Sequence, residues 1–352
     1  MKTKKVIRMP SIKQFRDTIH HITKAARFDG LDENDEPIYN MDLLPTLNAI
    51  GTVKIHGTNA SICYNSIDGL WVQSKKNIIT SEKDNAGFAF FVESKKILFS
   101  ELCQFVLTNN GLNHSKNTVT IYGEWAGKGI QSGVGISKLE KHFYIFGIKV
   151  TPHDEDLDSY WVDSFIFDFV DEKNIYHIKD FKTFDIKIDF NNPLLSNNMM
   201  VLMVESVESE CPVASKLGGV GIGEGIVFKI SYKGKIYRFK MKGEKHAGKS
   251  KVKSAKKVDD KKLQLIIDTV EKVTPEWRLK QMYQETFDTL NGGIASIKGT
   301  GDYIGMVIRD ILKEEIETLS DVGLIPKDIN STVSKKARIW FMKKLDEESG
   351  LK

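Results

Sequence analysis

One lysine, two glutamates and a pair of lysines two residues apart are the side chains here whose types and settings suit chemistry. Lys54 sits in Thr52-Val53-Lys54-Ile55-His56-Gly57-Thr58-Asn59. Val53 and Ile55 read as the end of a strand, and the glycine of the following turn lets backbone approach a ligand closely. An ammonium in that setting is costly to bury without a partner. Lys54 is therefore a candidate nucleophile, a structural cation, or a surface residue with its head in water. Glu124 follows a glycine at the end of one strand-like run, and Glu224 precedes a glycine at the start of another. Arg238, Lys240 and Lys242 share one face of a strand by its period of two. Three cations there repel one another unless an anion or solvent covers them.

Transfer of a nucleotidyl group is the chemistry this set suits. A nucleophile attacks an α-phosphorus while negative charge grows on the phosphate oxygens, so positioning and cationic stabilisation supply most of the catalysis. A lysine nucleophile must first be neutral, and with an ordinary pKa near 10.4 only about 4 in 10,000 lysines are neutral at pH 7. A shift of about three units needs roughly 4 kcal/mol, in the direction that desolvation and neighbouring cations act. Glu124 and Glu224 offer the hard oxygens, direct or through water, that magnesium takes beside phosphates. Phe146 offers a face on which a base can stack.

The elements that must position these residues can be read in order. Residues 11–28 read as an amphipathic helix capped by Ser11, with His20 and His21 on its surface; residues 29–40 read as a loop. Residues 60–64 and 70–74 read as strands joined by Ser66-Ile67-Asp68-Gly69. Residues 87–108 read as a helix burying Phe91, Ile97, Leu98, Leu102 and Phe105. Residues 117–125 and 142–150 read as strands flanking a glycine-rich loop that lacks the Gly-Lys-Ser/Thr ending of a P-loop. The acidic stretch 153–158 lacks the pattern of an EF-hand loop. Residues 224–230 and 236–242 read as a hairpin turned at Tyr232-Lys233-Gly234. Beyond it, 240–257 carries eight lysines with Glu244 as its one acid, a solvated linker or a footprint for phosphate backbone. Helices are predicted over 260–273, from Thr274-Pro275 to Gly292-Gly293, over 302–319 and over 333–345.

At 352 residues, 41% hydrophobic and 28% charged, with a net charge of +4, the chain reads as an ordinary soluble protein of two domains. The expected division is 1–248 and 249–352. No apolar run is long enough to span a bilayer and the basic N-terminus is followed by no apolar signal core, so a membrane role is not expected. Cys63, Cys103 and Cys211 are odd in number and lack zinc-ligand spacing, which points to reduced thiols and a cytoplasmic setting, or the host cytoplasm for a phage protein.

Lys54-Ile55-His56-Gly57-Thr58-Asn59 resembles motif I of the covalent nucleotidyltransferases, in the form used by ATP-dependent RNA ligases of the RNA ligase 2 type. Tyr122-Gly123-Glu124 with its glycine-rich flank resembles motif III. Phe143-Tyr144-Ile145-Phe146 is similar to motif IIIa, Glu224-Gly225-Ile226-Val227-Phe228-Lys229 to motif IV, and Lys240-Met241-Lys242 to motif V. The motifs fall in the family's order over roughly residues 44–245. The resemblance implies an α+β fold: a nucleotidyltransferase (ATP-grasp-like ligase) domain of antiparallel sheets with flanking helices, followed by a small all-α domain. It implies ATP and Mg2+ (or Mn2+) as cofactors and an RNA partner, a nicked duplex by preference, handled by a monomer. AMP would join Lys54, pass to an RNA 5′-phosphate and leave when the adjacent 3′-hydroxyl attacks.

By the same resemblance Lys54, Glu124, Glu224, Lys240 and Lys242 are catalytic. Val53, Ile55, His56, Asn59, Lys76, Phe146 and Lys229 join them around the nucleotide, and Glu124 and Glu224 serve the metal. Two departures stand out. Lys75-Lys76 occupies the place of the motif Ia arginine, and lysine cannot form its bidentate fork. Val53 stands before the nucleophile where the nearest relatives carry glutamate, so no side chain is assigned to adenine N6. DNA ligases and GTP-dependent capping guanylyltransferases share these motifs but follow motif V with a β-barrel. An inactive RNA-binding protein of the same fold would lack the nucleophile or the motif IV acid.

Overall fold

The computed structural model of the chain describes residues 4–42, 44–162, 174–246, 259–290 and 295–348. The chain forms two compact units, Met1–His21 with Thr46–Ile188 and Met199–Lys256, and Ile22–Pro45 with Asp189–Asn198 and Lys257–Lys352. The expected division at 248/249 and the lysines from 249 to 257 lie outside the described residues. The second unit takes in Ile22–Pro45 from the N-terminal part of the sequence and Asp189–Asn198 from its middle, as well as the tail.

Thirteen strands are present among the described residues: β1 Phe28–Leu31, β2 Pro37–Tyr39, β3 Thr46–Val53, β4 Thr58–Asn65, β5 Gly69–Ser74, β6 Ile78–Ile79 and β7 Asn117–Ala126, then β8 His142–Pro152, β9 Tyr160–Trp161, β10 Ile175–His177, β11 Thr183–Asp189, β12 Gly225–Tyr232 and β13 Lys235–Lys242. One sheet of the first unit runs β10-β8-β7-β4-β5-β6, with β9 also on β8; the other runs β11-β3-β12-β13. Apart from β10, which lies parallel to β8, the strand pairs of the larger sheet are antiparallel. Its apolar face is covered by α2 (Phe88–Ser94) and α3 (Lys96–Asn109), where Phe88, Phe99, Leu102 and Val106 pack on Ile62, Ile121, Phe143 and Ile145.

The smaller sheet has a buried face and a polar face. Ala49, Gly51 and Val53, with Ile226, Phe228, Ile230, Phe239 and Met241, are buried on one face. The registers Val227↔Thr52, Val227↔Lys240 and Lys229↔Arg238 put those residues on the other. A period of two thus hands a strand-end lysine and four further cations, Lys229, Arg238, Lys240 and Lys242, to the same side.

Helices α4 (Asn197–Ser209) and α5 (Pro212–Lys216) lead into β12, and α6 (Asp260–Val273), α7 (Glu276–Gln284), α8 (Thr300–Glu314), α9 (Ile316–Asp321) and α10 (Pro326–Glu348) form the tail. The tail packs around Tyr283, Phe287, Tyr303 and Phe341. No strand follows Lys242 among the described residues, which leaves no β-barrel of the kind that DNA ligases and capping enzymes place there. Among the described residues no helix is long and apolar enough to cross a membrane.

Several expectations need correction. The first helix, α1, runs over Phe15–Arg27 rather than from Ser11. Lys13 is instead bridged to Phe239, its N–H donating to Arg238 and its carbonyl accepting from Lys240. Residues 29–40 contain the hairpin β1–β2, not a loop alone. The helix read over 87–108 breaks at Lys95, whose φ of −124° is not helical, so the apolar register restarts. The buried stripe becomes Phe99, Leu102, Cys103, Val106 and Leu107, leaving Ile97 76% and Phe105 45% exposed. The helix read over 302–319 is likewise two, α8 and α9.

Candidate active site

Strand pairing builds the site around Glu224. Lys54 follows β3 directly and its N–H donates to the carbonyl of Gly225, 2.8 Å away. Lys242 opposes Gly225 at the end of β13. Glu224, one residue before β12, is thereby held between two lysines from neighbouring strands. Its Oε2 lies 2.6 Å from Lys54 Nζ and 3.1 Å from His56 Nδ1, and its Oε1 lies 2.6 Å from Lys242 Nζ. The carboxylate is only 2% exposed, so these cations take the place of water around it. Gly225 makes the approach possible. Its φ is +150°, and a Cβ there would meet the Met241 carbonyl oxygen at 2.2 Å.

Glu124 comes from the other sheet. The register Asn59↔Glu124 sets the acid beside the motif I turn, and Glu124 Oε1 accepts the Gly57 N–H at 3.2 Å. Gly57 is pressed onto β7, where a Cβ would meet the Trp125 carbonyl oxygen at 2.4 Å. The turn is held from outside as well, since Asn85 donates to Thr58 Oγ1 at 3.0 Å.

A cavity of about 550 Å³ opens beside these residues. Its floor is the polar face of the smaller sheet, with Asn48, Ile50, Thr52, Val227, Lys229 and Arg238. Glu124, Tyr144 and Phe146 line it from the larger sheet, and Lys54, Val53, Ile55 and Asn59 also border it. Phe146 is half-buried. The volume falls in the range of small-ligand sites, and its shape is that of a slot between two sheets with cations at the Glu224 end.

The charges divide the two acids. Burial acts to raise the Glu224 pKa, but Lys54 and Lys242 overcome it and hold the carboxyl below the ordinary range. Burial pushes the Glu124 carboxyl up to about 7, against the pull of Lys54 and of the Gly57 N–H, while Glu224 pushes the same way as burial. Burial, followed by the like charges of Lys242 and Lys54, holds the Lys240 ammonium below the ordinary lysine value. One acid is thus a fixed anion and the other exchanges its proton near neutrality.

Among the described residues no group of three or more His, Cys, Asp or Glu side chains is arranged to hold a metal ion. Glu124 and Glu224 are the acids at the site. A pair of carboxylates fits a hard divalent cation that takes its remaining ligands from phosphate oxygens and water.

Lys54, Val53, Ile55, Asn59, Glu124, Phe146 and Lys229 meet at the cavity, with His56, Glu224 and Lys242 gathered at its lysine end. Lys76 and Lys240 are not among the residues that line the cavity. Of the Lys75-Lys76 pair, Lys75 is the cation whose field reaches both Glu124 and Lys240. Sequence reasoning also passed over His246, whose ring meets that of His56 edge-on at 5.6 Å, and gave Arg238 no place in the site. The guanidinium of Arg238 lies 3.9 Å from the ring centroid of Trp161. Its position two residues before Lys240 was the available signal.

The RNA ligase family model matches residues 48–242, more than half of the chain. No curated protein matches the sequence. Among solved structures, Naegleria gruberi RNA ligase with PPi is 16% identical at a TM-score of 0.42, over 68% of this chain and 57% of that one. A mutant of the same ligase with AMP and Mn gives 17% and 0.41 over the same shares. An archaeal ATP-dependent RNA ligase is 10% identical at a TM-score of 0.36, over 96% of this chain and 64% of that one. This chain therefore spans less than two thirds of the length of each.

Proposed function

This chain belongs to the RNA ligase family, and from that premise we propose that it is an ATP-dependent ligase sealing RNA 3′-hydroxyl and 5′-phosphate ends, by preference at nicks in a duplex. The observation that carries the reading is the placing of Lys54 at the mouth of the cavity, paired with a buried Glu224 that also holds Lys242. ATP would enter with its base against Phe146 and its phosphates toward Lys54, Lys240 and Lys242. A triphosphate offers Lys54 and Lys242 the anionic partner that Glu224 supplies in its absence. Once parted from Glu224 and with its proton given up to solvent water, the Lys54 amine attacks the α-phosphorus; the N–P bond forms as the α–β bridging P–O bond breaks and pyrophosphate leaves.

The remaining side chains have distinct tasks in this proposal. Lys240 and Lys242 neutralise charge growing on the phosphate oxygens. Glu124 and Asn59, opposite each other across β7 and β4, face the sugar and the reacting ends. A divalent cation shared by Glu124 or Glu224 and the phosphates would add Lewis-acid polarisation of the phosphoryl oxygens. Three buried free thiols accord with the reducing setting of the cytoplasm, where the proposed enzyme works as a monomer.

Incubation with α-labelled ATP and magnesium tests the first step. Label should appear covalently on the full chain and be absent from Lys54→Ala; equal labelling of the two would overturn the assignment. An end-joining panel over nicked RNA, nicked DNA and single-stranded RNA tests the preference, with nicked RNA sealed fastest.

A further inference from the structure

The second unit contains three cations, Arg27, Lys335 and Arg338, none of which has a carboxylate within ion-pair distance among the described residues. Asn191 clasps Leu44 by two hydrogen bonds, accepting its N–H at 2.9 Å and donating to its carbonyl at 2.7 Å. Phe190 N–H donates to the Pro45 carbonyl at 3.1 Å. Onto this joint α10 delivers Lys335, whose ammonium donates to the Asn191 carbonyl. Arg338 follows three residues later on the same helix face. The third cation, Arg27, comes from the end of α1, where its carbonyl accepts from the N–H of Asn40.

The Nε of Arg27 is buried with no hydrogen-bond partner, a costly state for a guanidinium. Among the described residues neither Arg27 nor Arg338 has a carboxylate within ion-pair distance. The nearest acid to act on Lys335 is Asp189, and its Oδ1 already accepts the backbone and side-chain N–H groups of Asn191, at 2.9 and 2.8 Å. The mutual repulsion is felt. Burial and then Arg338 hold Arg27 below the ordinary guanidinium value, and burial and then Arg27 hold Lys335 below the ordinary lysine value. Three like charges from two separate segments, one with a buried donor left over, form an arrangement that an oxyanion would complete.

We propose that Arg27, Lys335 and Arg338 form an anion site in the second unit that takes a backbone phosphate of the nucleic-acid strand, a use that rests on the ligase reading above. A guanidinium fork and an ammonium suit the oxygens of a phosphodiester, and contacts of this kind hold a strand without reading its sequence.

The test uses the full chain and a fluorescent nicked RNA duplex, followed by anisotropy between about 50 and 200 mM KCl. Lys335→Gln with Arg338→Gln changes exposed side chains only. It should weaken binding about tenfold at the low end and reduce the slope of log affinity against log salt by about 2. Arg27→Met should weaken binding with a reduction in slope of about 1 and no loss in Tm. Unchanged affinity and slope in both variants would overturn the site. Tm in inorganic phosphate, against chloride at equal ionic strength, separates the sources. A phosphate-dependent rise lost in the double variant, with duplex binding intact, would refute a strand phosphate as the occupant. Label transfer from ATP is read in parallel. Its absence from the unaltered chain alongside cation-dependent duplex binding would sink the ligase reading and leave the site standing.

Discussion

Glu124→Gln should stabilise the ligand-free protein, and only above acidic pH. The Glu124 carboxyl is pushed up to about 7 from an ordinary 4.5, with burial the largest cause. Its proton is therefore held more tightly in the folded state than in the unfolded one. Below about pH 4.5 both states carry the proton and the group costs nothing. Between 4.5 and 7 the folded state alone keeps it, so stability falls as pH rises, and above 7 the full cost is present. At about 1.36 kcal/mol per pKa unit the ceiling is roughly 3 kcal/mol, and partial solvent contact brings the expected value to about 2 kcal/mol. Glutamine keeps the shape and can still accept the Gly57 N–H, but it carries no charge. Thermal unfolding in buffered chelator, without nucleotide, should show the two proteins alike at pH 4.5 and the variant higher by several degrees at pH 8. A difference that is flat with pH, or a variant less stable at pH 8, would refute the argument that burial controls this acid.

Lys54→Ala should abolish covalent labelling while leaving Tm within a few degrees, because Glu224 keeps Lys242 and His56 as partners. Lys75→Ala should slow labelling about two- to fivefold, an effect of one partly screened charge, and Lys76→Ala should leave the rate unchanged. Gly225→Ala forces a Cβ against the Met241 carbonyl at an unfavourable φ and should cost at least about 2 kcal/mol, read as a fall of about 5 °C in Tm. In labelling by nucleotide concentration, Phe146→Ala should raise the apparent KM for ATP about tenfold through loss of a stacking face.

The parts of the site that could be read in the sequence are those fixed by strand period and by glycine. Glu124, Glu224 and Lys242 stand at strand ends next to glycines, Lys54 stands at a strand end in the turn that leads to Gly57, and both signals are local. The sequence could not say that Glu224 holds Lys54 and Lys242 together, because that depends on β3 and β13 flanking β12, a pairing across some 170 residues. The register of Lys75 and Lys76 was open for a related reason: adjacent residues past a strand end point in different directions, and only the fold decides which way. Ile97 and Phe105 were misread as core because one non-helical residue, Lys95, resets the helical phase. Arg27 gave no signal of joining α10, since neither its neighbours nor its spacing reports a partner some 300 residues away.

The alternation along β3, β12 and β13 has a consequence for inheritance. Substitutions at Ala49, Gly51, Ile226, Phe228, Phe239 and Met241 fall on the buried face and would reduce the amount of protein a cell accumulates. Those at Thr52, Lys54, Val227, Lys229, Arg238 and Lys240 fall on the opposite face and would spare abundance while impairing sealing. A saturation screen scored separately for abundance and for ligation would therefore alternate residue by residue along each strand. On the ligase reading proposed above, changes on the polar face would then remove joining while the protein stays folded and abundant.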